Sequence, residues 1–448
     1  MAIIFHIDVN SAFLSWTAAA RPADPDHPDL RTIPSIIGGD EKSRHGIVLA
    51  KSTPAKAYGI RTGEPVATAL KKCPFLVMAP PDHALYRKRS RELMELLHTY
   101  TSDLEQLSID ECFMDFTPIA HHFSSPCAAA RQIQEQIEQQ LGFTVNIGIS
   151  SNRLLAKMAS DFQKPNRIHT LYPEEIPEKM WPLPVNELYT VGRSSAAKLH
   201  QLGIHTIRDL ALSDPDFLSS HFKSHGRQIW EYANGKASDV IHSEKAEVKN
   251  IGNSTTLASD VTDREAACKV LLSLSETVSA RLRKEKLLAQ SVTVEIKYSD
   301  FTSCSHQCPL LSATNSTNTL YQTACRLFDE LWKGMPIRLL GIRTAKLTDE
   351  HAPVQLSLFD LDFSVPDTQD ARAPKNTGPS REKLQKLDQA MDAIRKRFGE
   401  DAIVRGSFLN PLKSQKEPGK APCLTPANRK NGTEKQKRNQ EPPLNPEK

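Results

Sequence analysis

The sequence predicts an α+β protein of several domains, in which a β-α-β-β-α-β unit occurs twice, on either side of a helical segment. Two patterns indicate this fold. Short apolar, β-branched runs alternate with amphipathic stretches up to about residue 172, and the same order returns between residues 241 and 349. In addition, a chain of 448 residues has room for about three or four separate cores.

The first unit is predicted to be ferredoxin-like. Its expected elements are strands near residues 3–9, 104–109, 112–116 and 145–149 and helices near residues 83–99 and 127–141. In this arrangement the first and third strands become neighbours, so Asp8 is expected beside Asp110 and Glu111. An insertion, roughly residues 18–81, is large enough for a small subdomain.

The second unit repeats this order without a comparable group of carboxylates, so it is predicted to bind rather than to catalyse. Its expected elements are strands near residues 250–257, 291–298, 303–310 and 337–347 and helices near residues 263–286 and 317–332. The helical stretch before it, about residues 173–235, contains Val191-Gly192-Arg193 and Leu202-Gly203-Ile204, a pattern similar to a helix-hairpin-helix. Such turns present backbone N–H groups to a phosphate.

Composition narrows the class of protein. Hydrophobic residues make up 39% of the chain, no run approaches the roughly 18 apolar residues that span a bilayer, and the start lacks the basic region of a signal peptide. Eight scattered cysteines indicate reduced thiols, so we expect a cytoplasmic protein without a membrane partner. Cys304, His306 and Cys308 alternate as residues on one face of a strand do. They could suggest a metal site, but the sequence has no second pair of ligands near them, so a strand is the favoured interpretation.

The net charge of +4 is unevenly placed. From residue 412 onward the basic residues exceed the acidic ones by five, so the rest of the chain is nearly neutral. Any hold on nucleic acid must therefore come from clustered charge. The same tail is rich in Pro, Lys, Asn and Glu and is predicted to be disordered.

Three acidic residues stand at the ends of predicted strands. Asp8 follows the apolar run Ile4-Phe5-His6-Ile7, and Asp110 and Glu111 follow Ser108-Ile109. A carboxylate at the end of a buried strand is costly unless a cation neutralises it. Three such groups brought together would repel one another, and two divalent ions about 4 Å apart, which catalyse in-line transfer at phosphorus, are a usual remedy. Each cluster by itself could instead be a strand cap or an exposed hairpin turn.

Further motifs accompany these carboxylates in one order. They are His6-Ile7-Asp8-Val9-Asn10-Ser11-Ala12-Phe13, then Ser108-Ile109-Asp110-Glu111, then residues 148–161 followed by Lys164-Pro165-Asn166. The series closely resembles the Y-family DNA polymerases, specifically the DNA polymerase IV (DinB) branch, which copies damaged templates. The resemblance is dense to about residue 173 and looser to about residue 349.

The resemblance implies a template-directed DNA polymerase of low fidelity, without a proofreading domain, that adds deoxynucleotides to a primer 3′-hydroxyl. Asp8, Asp110 and Glu111 would hold two Mg²⁺ ions, with the backbone carbonyl of Val9 as an extra ligand. Asn10 is an acid in many relatives, but that position is not a ligand in the family pattern.

The same resemblance assigns residues to the nucleotide. Phe13 would be the steric gate that leaves no room for a 2′-hydroxyl. Ala12 stands where many relatives have a second aromatic, so the pocket would be roomier or filled from elsewhere. Thr53, Lys56 and Lys164 would contact the triphosphate, although Lys56 replaces an arginine and lacks its bidentate fork.

For the DNA backbone, the resemblance implies contacts from Gly192, Arg193 and Lys198 in the helix-hairpin-helix. Tyr189-Thr190 stands where Pro-Gly is common in the family, so we expect a less tight turn. The expected partners are primer–template DNA and deoxynucleoside triphosphates, and we expect a monomer.

A short peptide, Gln355-Leu356-Ser357-Leu358-Phe359, resembles the one by which bacterial polymerases dock into the sliding clamp, the β subunit. Leu358 and Phe359 would fill an apolar pocket and Gln355 would hydrogen-bond at its edge. An ordinary edge strand is the alternative. Beyond it, residues 380–398 are predicted to form an amphipathic helix, whose partner the pattern does not indicate.

These expectations divide the chain into segments. In order they are 1–17 palm, 18–81 fingers, 82–172 palm, 173–240 thumb with the helix-hairpin-helix, 241–349 little finger, 350–379 linker with the clamp-binding peptide, 380–411 helical segment and 412–448 disordered basic tail.

Two other function classes fit the sequence less well than a polymerase. Gly38-Gly39-Asp40-Glu41 matches the signature of diguanylate cyclases, which also use two metals on a palm-like fold. Here it lies inside the insertion, Lys42 replaces the usual aromatic, and Asp110 offers a better carboxylate hairpin. A catalytically silent DNA-binding protein on the same scaffold should have lost one of the three carboxylates, and all three are present.

Overall fold

The computed structural model describes residues 2–21, 28–39, 46–244, 247–352 and 381–406. The strands are β1 (Ile4–Val9), β2 (Ser35–Gly38), β3 (Val48–Lys51), β4 (Val77–Ala79), β5 (Leu104–Gln106), β6 (Glu111–Asp115), β7 (Val145–Ser150), β8 (Ile168–Thr170), β9 (Asn250–Val261), β10 (Leu287–Tyr298), β11 (Ser303–Thr314) and β12 (Ile337–Asp349). The helices are α1 (Ala12–Ala19), α2 (Thr53–Ala57), α3 (Val66–Lys72), α4 (His83–His98), α5 (Pro126–Leu141), α6 (Arg153–Asp161), α7 (Ile176–Lys179), α8 (Arg193–Gln201), α9 (Ile207–Ala211), α10 (Pro215–Phe222), α11 (Ser224–Ala233), α12 (Arg264–Lys284), α13 (Thr317–Leu331) and α14 (Arg381–Phe398).

The first sheet has the order β5-β6-β1-β7-β8, so the ferredoxin-like prediction is confirmed and β6 lies beside β1. Strand β8 extends the sheet in parallel to β7. The predicted strand at residues 104–109 ends at Gln106, because the N–H groups of Leu107 and Ser108 bond to the Glu111 carbonyl and close the turn to β6.

The two faces of this sheet are covered by different helices. On one face Phe5 and Ile7 pack with residues of α4 and α5. On the other face α6 lies directly on β7 at Gly148, where an added Cβ would stand 2.0 Å from the carbonyl oxygen of Ala156. A glycine is therefore required at this position for the helix to approach the sheet so closely. Because alternate residues of a strand face opposite sides, His6 and Asp8 lie on the α6 face.

The predicted insertion forms a separate small sheet of order β3-β2-β4. Helices α2 and α3 contribute Ala55, Val66 and Ala69 to its core, which also includes Ile36 and Val48. Helix α2 begins after Ser52, whose hydroxyl accepts a hydrogen bond from the Ala55 N–H at 3.1 Å. The insertion therefore has a core of its own.

Helices α7 to α11 form the helical segment, with one apolar core that also contains Leu155 of α6. The turn before α8 is closed, since the Val191 N–H donates to the Leu188 carbonyl at 3.0 Å. Thr190 takes the left-handed position of this turn, with a φ of +76°. The expectation of a less tight turn is thus wrong. The turn closes by placing a β-branched residue where glycine is favoured.

Replacing Thr190 with glycine is expected to raise the free energy of unfolding by about 1 kcal/mol, because glycine adopts this φ without the Cβ penalty. Urea unfolding of both proteins measures the difference. Thr190→Ala keeps the Cβ and should gain little. If it gained as much as Thr190→Gly, the branched side chain rather than the backbone conformation would be the source of the strain.

The second β-α-β-β-α-β unit has the predicted order of elements but a different sheet order, β11-β10-β12-β9. Strand β9 lies at an edge and pairs with β12, whereas its counterpart β1 lies inside the first sheet. Helices α12 and α13 pack on one face, with Leu271, Val278 and Phe328 in the core. The strands are also longer than predicted, since β9 continues to Val261 and β11 to Thr314.

The chain divides into two units, Met1–Asp388 and Gln389–Lys448. The predicted C-terminal helix is present as α14, and Asp388 shows where its first half packs. Its buried carboxylate accepts a hydrogen bond at 3.0 Å from the N–H of Thr317, the first residue of α13. It also lies 3.5 Å from the guanidinium of Arg283. Leu387 of the same helix is 47% exposed. None of the helices in the described part of the chain is both long and apolar enough to cross a membrane.

Candidate active site

The three carboxylates meet at one end of the first sheet. Asp8 and Glu111 are register partners on β1 and β6, and the Val9 N–H donates to the Asp110 carbonyl at 3.0 Å. Because paired residues of antiparallel strands point to the same side, Asp8 and Glu111 share the α6 face. The Asp110 side chain accepts a hydrogen bond from the Ser108 hydroxyl at 2.6 Å. Asp8 and Asp110 therefore lie close together, as expected.

Glu111 is held by two cationic or polar side chains that the sequence did not single out. The ammonium of Lys157 on α6 donates to its carboxylate, and the Nε2 of the buried His6 lies 3.3 Å from the same oxygen. The contact with His6 and the charge of Lys157 together lower the pKa of Glu111 to about 2, against the opposing effect of burial. Glu111 is thus ionised throughout the neutral pH range.

Asp8 is paired with Lys164, whose ammonium donates to its Oδ2 at 2.5 Å and to Asp161 at 2.8 Å. Burial raises the pKa of the Asp8 carboxyl, and the charge of Lys164 opposes that rise. Lys164 therefore reaches the same strand ends as the carboxylates. The sequence placed it at the triphosphate only through its family resemblance.

In the described part of the chain, no three His, Cys, Asp or Glu side chains are arranged as a ready metal site. The residues fit Mg²⁺ in donor chemistry, because Asp8, Asp110 and Glu111 supply carboxylate oxygens, the hard ligands that this ion prefers. Their backbones also stand at adjacent strand ends. These three residues could hold a metal ion.

A cleft of about 430 Å³ lies between the strand ends of the first sheet and the inserted sheet. Most of the residues predicted for metal and nucleotide line it, namely Asp8, Val9, Phe13, Thr53, Lys56, Asp110 and Lys164. Two further residues on this wall were missed, Lys51 and Thr62, which are joined by a hydrogen bond of 3.3 Å. Burial lowers the pKa of Lys51, and the nearby charge of Lys56 adds to the effect. One wall of the cleft thus carries Asp8 and Asp110 together with Lys164, and the other carries Lys51 and Lys56.

Phe13 rests on an aromatic support. Its ring stacks on the buried ring of Tyr86 of α4, with centroids 4.3 Å apart and an interplanar angle of 5°. The Tyr86 hydroxyl is 3.1 Å from that of Thr17, and His83 meets the Phe13 ring edge-on. Ala12 beside it is buried in the core of the first sheet. Phe13 is therefore a rigid part of the cleft wall, and Tyr86 carried no signal in the sequence.

The predicted DNA-backbone residues lie in the helical segment, away from the cleft lining. Gly192 caps the N-terminus of α8, and Arg193 is exposed. Lys198 is engaged within the segment, since its ammonium donates to the His221 carbonyl and lies 4.8 Å from the centre of the Phe222 ring. Its contact with DNA stays a prediction. To make that contact, the Lys198 ammonium would have to leave the His221 carbonyl and bind a phosphate instead.

The remaining residues that the sequence analysis named lie either outside the described residues or in strand β11. Gln355, Leu356, Leu358 and Phe359 lie outside the described residues, as do Asp40 and Glu41 of the cyclase-like signature. Cys304, His306 and Cys308 are strand residues of β11, as expected. Each has a different neighbour, since Cys304 contacts Tyr298, His306 contacts Glu330 and Cys308 contacts Arg326.

Comparison with known proteins adds the family. The impB/mucB/samB family model matches residues 7–161, the model of that family's C-terminal domain matches residues 248–358, and an IMS family HHH motif matches residues 173–204. DNA polymerase IV of Clostridium acetobutylicum is 47% identical over 407 residues, covering 91% of this chain and 98% of that protein. DNA polymerase IV 1 of Bacillus subtilis is 35% identical over 415 residues, covering 92% and 94%.

A solved Y-family DNA polymerase chimera superposes with a TM-score of 0.67 at 23% identity, covering 78% of this chain and 99% of the chimera. At that identity the superposition supports the fold alone. The shared fold is a mixed α+β polymerase fold, in agreement with the two β-α-β-β-α-β units described above.

Proposed function

The chain belongs to the impB/mucB/samB family of Y-family DNA polymerases and is a translesion DNA polymerase of the DNA polymerase IV type. From this premise we propose that Asp8, Asp110 and Glu111 bind two Mg²⁺ ions at the end of its first sheet. The observation that carries the proposal is the pairing of β1 with β6, which places Glu111 beside Asp8 at the end of the first sheet. Asp8 and Asp110 line the cleft that also contains Lys56 and Lys164.

The reaction joins the primer 3′-hydroxyl to the α-phosphorus of the nucleotide, and the bond to pyrophosphate breaks. When bound, the two ions supply charge neutralisation and stabilise the transferring phosphate. In this proposal Lys164, Lys56 and Thr53 hold the triphosphate, and Phe13 lies beneath the sugar. The Val9 carbonyl is an additional oxygen ligand.

Metal binding can be measured without catalysis. With a dideoxy-terminated primer, template and matching nucleotide, we expect two Mn²⁺ ions per chain by electron paramagnetic resonance, since Mn²⁺ takes the same oxygen ligands as Mg²⁺. The wild-type protein should also need a divalent ion for primer extension, which EDTA removes. Fewer bound ions in Glu111→Gln would support the ligand assignment, and unchanged binding would contradict it.

We also propose the domain assignment of the family for this chain. Residues 1–17 and 82–172 would be the palm, 18–81 the fingers, 173–240 the thumb and 241–349 the little finger. The cores of the first sheet, the inserted sheet, the helical segment and the second sheet support this division. Helix α6 of the palm also contributes Leu155 to the core of the helical segment. The thumb would hold the DNA backbone through Gly192, Arg193 and Lys198. We propose that the protein acts as a monomer on DNA in the cytoplasm.

The clamp-binding peptide is a separate proposal. Replacing Leu358 and Phe359 with alanine is expected to weaken binding to the sliding clamp at least tenfold, because two apolar anchors are lost. Distributive extension without the clamp should be unchanged. Surface plasmon resonance against the β subunit measures the first effect and a primer-extension assay the second.

The chain offers a matched control a few residues away. Leu361→Ala with Phe363→Ala removes the same two side-chain types outside the peptide and should leave clamp binding unchanged. If the Leu358 and Phe359 variant also lost basal extension, the segment would belong to the fold instead.

A further inference from the structure

Two buried amides join the end of β1 to the loop that carries Lys164. Asn10 Nδ2 donates to Asn146 Oδ1 at 3.0 Å. Asn10 Oδ1 in turn accepts from the backbone N–H of Asn166 at 2.9 Å and from the Thr144 hydroxyl at 3.0 Å. Asn166 has a left-handed φ of +55°, so the backbone group that Asn10 holds lies at a turn of this loop. Asn10 is thus a link between a strand and the loop.

The other partners of Asn146 determine which atom faces Asn10. Its Nδ2 donates to the carbonyls of Ser160 at 3.0 Å and Gln163 at 2.6 Å. Its Oδ1 accepts from the Arg167 N–H at 3.2 Å as well as from Asn10. Position 10 must therefore supply a donor. A carboxylate there would bring two acceptors together in a site that excludes water.

Lys164 extends from the supported loop into the cleft, where its ammonium contacts Asp8. We propose that the amide pair of Asn10 and Asn146 positions this loop, so that Lys164 meets the triphosphate of the incoming nucleotide. The pair acts through Lys164 and touches no reacting atom. The inference rests on the proposed role of Lys164 in nucleotide binding.

Asn10→Asp is the first test, because it keeps the size of the side chain, replaces the donor with an acceptor and adds a negative charge. Thr144→Val, described below, tests the same link without a change of charge. A dideoxy-terminated primer prevents chemistry, so the dissociation constant of the matching deoxynucleoside triphosphate can be measured directly. We expect it to rise about tenfold in Asn10→Asp, as for the loss of one buried hydrogen bond. In extension assays KM should rise by a similar factor, while kcat changes less than about threefold.

Two further variants guard the interpretation. Asn186→Asp makes the same chemical change at an exposed position and should leave the nucleotide dissociation constant unchanged. Thr144→Val removes only the hydroxyl that donates to Asn10, and a smaller rise of the same constant is expected. The affinity for primer–template DNA, measured for each variant, reports whether the fold is retained.

The outcomes separate this inference from the function on which it rests. If Lys164→Met weakened nucleotide binding and Asn10→Asp did not, the positioning role would be overturned and the role of Lys164 would stand. Unchanged binding in Lys164→Met would overturn the role of Lys164 itself. Equal losses of DNA affinity and kcat in Asn10→Asp would mean that the pair only maintains the fold. Should Asn10→Asp not fold, unchanged nucleotide binding in Thr144→Val would overturn the proposal.

Discussion

Replacing Asp110 with alanine is expected to abolish primer extension, with a rate that falls by several orders of magnitude. The substitution removes one of the three proposed carboxylate ligands, and with it both charge neutralisation and orientation of the ions, effects worth several kcal/mol each. Each 1.4 kcal/mol corresponds to about tenfold in rate. Single-turnover extension of a primed template with deoxynucleotides and Mg²⁺ measures the loss.

The backbone contact between Val9 and Asp110 survives this substitution, because it uses the carbonyl of residue 110. The fold at the strand ends should therefore be retained. Asp103→Ala removes a carboxylate from the same hairpin that does not line the cleft, and it should keep near wild-type activity. If Asp110→Ala retained most of the activity, the metal assignment would be wrong.

Replacing Phe13 with alanine should have a different effect, in which deoxynucleotide extension largely survives and ribonucleotides become substrates. The ring of Phe13 stacks on Tyr86, and we propose that its removal opens the space that a 2′-hydroxyl needs. We expect kcat/KM for ribonucleotides to rise roughly 100-fold relative to deoxynucleotides, which is the upper range for a steric discrimination.

A second variant tests the role of Tyr86, which supports the Phe13 ring, rather than that of Phe13 itself. Tyr86→Leu keeps an apolar side chain beneath Phe13 but removes the flat ring, so ribonucleotide use should rise by a smaller factor. The ratio of kcat/KM for the two sugar types, measured with all four bases, is the readout. Persistent rejection of ribonucleotides by Phe13→Ala would show that another residue is the gate.

The order of the first sheet was predictable, because its strands are short apolar runs and the β-α-β-β-α-β order leaves one position for the third strand. The place of Asp8 beside Glu111 follows from that order. Lys157 and His6 were within reach of the same reasoning, since His6 precedes Asp8 by two residues and so shares its face. Lys157 lies within the family motif at residues 148–161, but the motif does not indicate a role for it.

Other parts of the site depend on contacts between distant residues. Tyr86 and Phe13 are separated by an entire inserted sheet, and Asn10 and Asn146 by most of the first unit. No local pattern marks either pair, because an aromatic in a helix and an amide in a strand have many ordinary roles. The edge position of β9 likewise depends on which strand it pairs with, and periodicity does not specify this.

Gly148 contacts none of the proposed substrates, yet the lysines of the site depend on it. Any side chain there would push α6 away from the sheet, and Lys157 lies on that helix with Lys164 just beyond it. The spacing between positive and negative groups in the cleft is thus set by a residue that has no functional group. A genetic screen for inactive protein should recover substitutions at Gly148 together with those at the carboxylates, although only the latter are proposed to take part in the reaction.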